Sequence, residues 1–513
     1  MADHNMDLHD QVHDEEQHED DNAMLDPDEA DETIEQDDDA AMDSGEDDDN
    51  DDEDMMQHEI QLQNDSQAHF DLHSDSLFCI AQHPTNPAIV ATGGGDDRAF
   101  IWDSTPLPGP VLPRSYETEP AAAPVERESL QALAVLDGQD ESVNAIAFTL
   151  PGGEYVVTGT LAGTLSAYKT PTSQTNKVVS VGTAKEVEEI NWIQPCPSAA
   201  HPNTIALGAS DGSVWVYEVG SAGLTIIQTF FLHQAPCTAG AWTPDGKLLA
   251  TVSEDSSFYV WDAFGDAAAA GIKDASGGQA VVGLTGVDER FRVDGGLYSV
   301  AISPGGGIAA VGGAGGHIRI IGLPRLGAAS AASTDKGGQG ARAKAGGAKQ
   351  AAQPSAANVG QAGQILAALQ AQSDGVETLD FSQPPLTLLA AGSVDGSIAL
   401  FDAAHNFAIR RSIPEAHADE DAAQAVIQVQ FVKTPLGTAN PNGHVLTSAG
   451  NDGVVRRWDV RGGTAATNKG FMGEWKGHRG GGEGGGILGF AQGGGGKRIV
   501  TAGDDGVALV FDM

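Results

Sequence analysis

Basic residues are scarce in this chain. Its 27 Lys and Arg face 73 Asp and Glu, for a net charge of −46, and the first of them is Arg98. Such a balance repels nucleic-acid phosphates and anionic membranes and favours basic proteins or peptides as partners. Cysteine is almost missing too. Cys79, Cys196 and Cys237 stand apart in apolar contexts without CxxC spacing, which excludes a disulfide framework and points to a reducing compartment, the cytoplasm and also the nucleus. No apolar run is long enough to span a bilayer, and no segment has the makeup of a secretory signal. Aromatic and branched apolar side chains are nearly lacking from residues 1–57, so this stretch cannot bury enough surface to offset its ordering entropy. With 27 of the 73 acids by residue 54, it reads as a disordered acidic tail. Its His4, His9, His13 and His18 sit beside carboxylates, but a ligand set without a scaffold binds metal poorly, and solvated histidines are the simpler reading.

What the chain does have is one hairpin, many times over. AIVATGGGDDRAFIWD, residues 88–103, is an apolar run, a Gly/Asp reversal, and a second run closing on Trp102-Asp103. The pattern returns with closes at Glu218, Asp262, Asp402, Asp459 and Asp512, and in weaker form at Lys169 and Gly322. Eight copies define a repeat protein, and a small residue, a short turn with Asp or Gly, and an aromatic–acid close are the signature of WD repeats, each one a four-stranded propeller blade. The expected fold is all-β: an eight-bladed WD-repeat β-propeller over residues 58–513, preceded by the tail. Only one residue follows Asp512, so the last blade lacks a fourth strand. The alternating Glu59–Gln63 is expected to supply it and close the ring, removing two exposed edges. Blades two and five lack the turn Asp and the Trp-Asp close, which puts their regularity in doubt. Where the turn Asp is present (Asp97, Asp211, Asp255, Asp395, Asp452, Asp505), it reads as a structural turn-former.

Spacing between repeats is uneven. The largest excess is a Gly/Ala/Ser-rich insert at about 324–358 carrying Lys336, Arg342, Lys344 and Lys349, which reads as a disordered loop. Long insertions after Asp103, Asp262 and Leu323 fall between third and fourth strands, on the face usually called the bottom, and leave the top clear for a partner.

Nothing resembles catalytic machinery. The run Gly493–Arg498 has the outline of a phosphate loop, but Ala491 and Arg498 occupy places that need Gly and Ser/Thr. No cofactor or metal is expected, and the molecule reads as a binding protein, not an enzyme. The residues around the start of each inner strand are more informative. They include Asp75; Asp140 and Glu141; Glu186, Glu188 and Glu189; Asp294; Asp374 and Glu377; Glu420 and Asp421, an acidic rim suited to an Arg/Lys-rich peptide, with Phe78, Trp192, Tyr298, Leu77 and Leu297 as apolar anchors if they reach the mouth. The competing explanation is that exposed turns in an acidic chain are acidic anyway.

The acidic leader, followed by His73-Ser74-Asp75-Ser76-Leu77-Phe78-Cys79-Ile80 and the hairpin at Ala91–Trp102, resembles the angio-associated migratory cell protein family. In its fungal members this resemblance implies a dedicated chaperone. Such a chaperone takes the basic N-terminal segment of one newly made large-subunit ribosomal protein on the acidic top of a monomeric ring and delivers it to the pre-60S particle, a role in ribosome biogenesis without direct nucleic-acid or membrane contact. Two alternatives remain open on the residues alone: a signalling scaffold or ubiquitin-ligase adaptor, and a general histone or basic-protein chaperone that works through the tail.

Overall fold

The computed structural model describes residues 64–107, 127–171, 178–272, 280–326, 361–419, 422–435, 438–463, 467–479 and 485–513. The stretch 1–57, with its histidines, and Glu59–Gln63 lie outside these residues, as do the insert from residue 327 onward and Glu420 and Asp421.

Among the described residues the strands form eight four-stranded antiparallel sheets. Seven are consecutive in sequence, from blade one (Leu77–Gln82, Ile89–Gly94, Ala99–Asp103, Ala132–Val135) to blade seven (Val426–Phe431, Val445–Gly450, Val455–Asp459, Phe471–Trp475). Inner strands pack against those of both neighbouring blades, and the last of them, Ile487–Gln492, packs on the first, Leu77–Gln82. The result is an eight-bladed propeller. Second and third strands are covered on both sides, so they read as continuous small and apolar runs instead of alternating ones. Tyr155–Thr160 and Leu388–Ser393 are buried at every position. Glycine recurs in the second strand where the next inner strand presses in: a Cβ on Gly93 would lie 2.5 Å from Val143, and one on Gly159 would lie 2.7 Å from Ile190.

Ring closure does come from the N-terminal side, but from another segment. The fourth strand of blade eight is Ala68–Phe70, paired to Ala508–Val510, not Glu59–Gln63. Ala68-His69-Phe70 is too short to signal a strand by alternation. It is held by the buried Phe70, which stacks on Trp102 of blade one with ring centroids 4.7 Å apart.

Loops leading into the inner strands meet the hairpin turns on one face, the top. In blade one, His73 bonds Asp96 at 2.9 Å and Thr92 at 3.1 Å, and Thr92 accepts the indole N–H of Trp102. The structural aspartate here is therefore Asp96. Asp97 instead takes the left-handed position, φ 57°, that Gly212, Gly396 and Gly506 fill in other turns. Similar histidine chains run through His233 to Thr251 and Trp261, through His417 to Asp452, Ser448 and Trp458, and through His478 to Asp505 and Thr501. Blade two is nonetheless regular: in place of a turn Asp, Asp140 of the preceding loop accepts from Thr160 at 3.0 Å and Thr164 at 2.7 Å.

Candidate functional site

Every inner strand carries one irregularity, and it falls at the same place. Its second residue is left out of register as a β-bulge: Phe78, Asn144, Asn191, Thr238, Tyr298, Glu377, Ile427 and Leu488. A bulge re-aims a side chain. Here each of the eight is at least partly exposed, whereas the strand residue before it is buried. Three of them latch the ring: Asn144 donates to Ile190 and Asn191 carbonyls, Asn191 to Cys237, and Thr238 to Leu297. The apolar three, Ile427, Leu488 and Phe78, come from adjacent blades seven, eight and one.

The bulge residues of blades three to six border a cavity of about 370 Å³ at the top mouth, lined by Glu189, Asn191, Ser210, Pro236, Thr238, Glu254, Tyr298 and Glu377. Tyr298 lies within reach of three carboxylates. Its hydroxyl donates to Gly295 O at 2.5 Å, and its pKa is raised, first by withdrawal from water and then by the charges of Glu377, Glu254 and Asp374. Partial desolvation, followed by the Asp374 charge, likewise pushes the Glu377 carboxyl above its ordinary value. Like charges held together in this way gain if a cation arrives between them.

The structure thus gathers Glu189, Asp374, Glu377 and Tyr298, and adds Glu254, which the sequence reading missed. Glu254 immediately precedes the turn Asp255, so the signal was its place on a top turn and not its distance from an inner strand. Asp75, Glu141, Glu186 and Glu188 are exposed on blades one to three, with no ion pair among the described residues. Two expected rim acids are already engaged. Asp140 pairs with Lys185 at 3.0 Å, and although desolvation works against it, bonds from Thr164, Lys185 and Thr160 hold its carboxyl below the usual range. Asp294 pairs with Arg292 at 2.6 Å. Among the anchors, Phe78 and Tyr298 are bulge residues at the mouth. Trp192 is not: one place past the bulge, it is only 8% exposed, packs against Gly208 and Gly240 and donates to Cys237 O at 3.1 Å. Leu77 and Leu297 are wholly buried.

Comparison with known proteins fits this geometry. The family "WD domain, G-beta repeat" matches residues 64–103 and 224–262. The ribosome assembly protein SQT1 of Saccharomyces cerevisiae is 33% identical over 42% of this chain, a match that spans 45% of the yeast protein. Human angio-associated migratory cell protein is 25% identical over 87% of this chain and 80% of its own length. A crystal structure of Chaetomium thermophilum Sqt1 bound to the N-terminus of ribosomal protein L10 is 47% identical, covers 88% of this chain and all of that one, and superposes with a TM-score of 0.71. Nearly half of the residues are shared over the whole of that solved chain, and the chain belongs to the Sqt1 family of WD-repeat proteins.

Proposed function

We propose that this protein is a ribosome assembly chaperone that holds the basic N-terminal segment of ribosomal protein L10 on the top face of its propeller. It keeps that segment from aggregation and from RNA until it joins the large subunit. The observation that carries the reading is the Chaetomium relative solved with the L10 N-terminus bound. The mouth supports it from the physics: Glu189, Glu254 and Glu377 line one cavity with Tyr298, on which Asp374 also acts by its charge, so cationic side chains find several carboxylates at once, each worth about 0.2–1 kcal/mol if exposed. The protein works by binding and not by chemistry, in the cytoplasm, where newly made ribosomal proteins first appear.

The test is calorimetric titration of a synthetic L10 N-terminal peptide into the full chain at low and moderate salt, with wild type and Glu254→Lys/Glu377→Lys. Wild type is expected to bind, more weakly as salt rises, and the double variant is expected to lose at least tenfold in affinity, about 1.4 kcal/mol. Equal binding by the two proteins would remove the mouth from the mechanism.

A further inference from the structure

Blade three departs from blades one, two, four and six in how its top is closed. In blades one and four the residue four places before the inner strand is His73 or His233, bonded to the second-strand hydroxyl of its own blade. Gln139 and Gln372 hold that place in blades two and six and bond Thr158 and Ser397. Blade three has Glu186 there. Its charge reaches Tyr217, whose hydroxyl is pushed up to about 12, first by burial and then by Glu186.

The turn aspartate of the same blade, Asp211, accepts from Ser213 alone, through Oδ1, from N–H at 2.8 Å and from Oγ at 2.6 Å. Its counterparts Asp96, Asp255 and Asp395 each use their second oxygen for an N–H of the preceding loop, from Ser74, Gln234 or Ser373. Blade three therefore offers two carboxylates where blades one, four and six set a carboxylate against an imidazole or an amide. Neither has an ion-pair partner among the described residues.

Aromatic surface accompanies them. Trp215 is fixed by its indole N–H to Ser213 Oγ at 2.8 Å and lies roughly parallel to Tyr217, centroids 6.3 Å apart. Phe231, 57% exposed, meets Trp215 edge-on at 5.9 Å. An exposed phenyl ring against a half-buried indole, with carboxylates free of ion pairs on the same blade, suits a cation that is planar, weakly hydrated and able to stack, which describes guanidinium and not ammonium.

We propose that Trp215 and Phe231, with Glu186 and Asp211, form a docking surface on blade three for an arginine side chain of the basic segment, separate from the central mouth. The guanidinium stacks on the aromatic pair and its N–H groups meet the carboxylates, so a client arginine supplies the cation that blade three lacks. This inference rests on the function proposed above. The mouth selects for charge; blade three selects arginine over lysine.

The test compares the L10 N-terminal peptide with a version in which every arginine is lysine, titrated into wild type, Phe231→Ala and Glu186→Gln. Both substitutions are on exposed side chains, and thermal melts check that the ring is intact. Wild type is expected to prefer the arginine peptide, and each variant to lose about fivefold in affinity for it, a larger loss than for the lysine peptide. Equal losses on both peptides, or none, would overturn the subsite and leave the mouth standing. Failure of wild type to bind either peptide would overturn the parent reading and this one with it.

Discussion

Asn191 and Trp192 are adjacent, and one bulge gives them opposite surroundings. Asn191 turns to the mouth and latches blade four through Cys237 O; Trp192 fills the space between Gly208 and Gly240. Trp192→Ala is accordingly expected to cost about 3–5 kcal/mol of stability, read as a lowered urea midpoint, while the affinity of the surviving folded protein for the L10 peptide stays unchanged. Reduced affinity at full occupancy of the fold would return Trp192 to the binding surface. At Glu377 the expectation concerns pH. Its carboxyl protonates above the ordinary Glu value because of desolvation and then Asp374. Only the ionised form attracts a cation, so peptide affinity is present above that raised pKa and falls as pH drops through it, earlier than an ordinary Glu would allow. Titrations at a series of pH values should show this loss in wild type and its absence in Glu377→Gln, which lacks the titrating group and binds more weakly throughout. A variant retaining the full pH dependence would assign it elsewhere.

Among the elements, the three-residue strand Ala68–Phe70 has the largest consequence for its size. It completes blade eight and, through Phe70 on Trp102 and Phe100, fastens blade eight to blade one. A chain beginning at Asn64 is expected to melt with the full-length protein. One beginning at Asp71, or Phe70→Ala, which removes a buried ring at a cost of about 3–5 kcal/mol, should melt well below it. Equal melting of the Asn64 and Asp71 chains would mean the seam is held without this strand. The elements also show what could be read beforehand. The hairpins were legible because turn chemistry and an aromatic close recur within a dozen or so residues, even where blades two and five lack the aspartate. The closing strand was misplaced because alternation in Glu59–Gln63 is a stronger local signal than three residues held by a ring stacked across the seam. The histidine chains were invisible because His73 and Asp96 are distant in sequence. The rim's sign and face could be inferred from acids near the inner strands. Which acids converge depended on a bulge, and on Lys185 reaching Asp140 from 45 residues away, that only the folded ring brings into register.

For the whole molecule the dominant fact is charge. Residues 1–54 contribute 27 acids and no Lys or Arg, so removing them takes the formal net charge from −46 to −19. Contacts with a client belong, on the reading above, to the mouth and blade three, and these fix the lifetime of the complex. A long-range field acts instead on encounter, and it fades when the screening length falls to about 8 Å near physiological salt. Deleting residues 1–54 is therefore expected to slow association with the L10 peptide by about tenfold at low ionic strength, with the two proteins converging as salt is raised and with dissociation unchanged. Stopped-flow mixing of a labelled peptide separates the two rates. Faster dissociation from the shortened chain would mean that the acidic stretch itself holds the client, as a general basic-protein chaperone would. Faster association or a higher affinity would mean that it competes for the mouth. Faster dissociation would therefore move the recognition of the client away from the ring's own carboxylates, whereas relief of competition, or a change confined to the association rate, keeps it there.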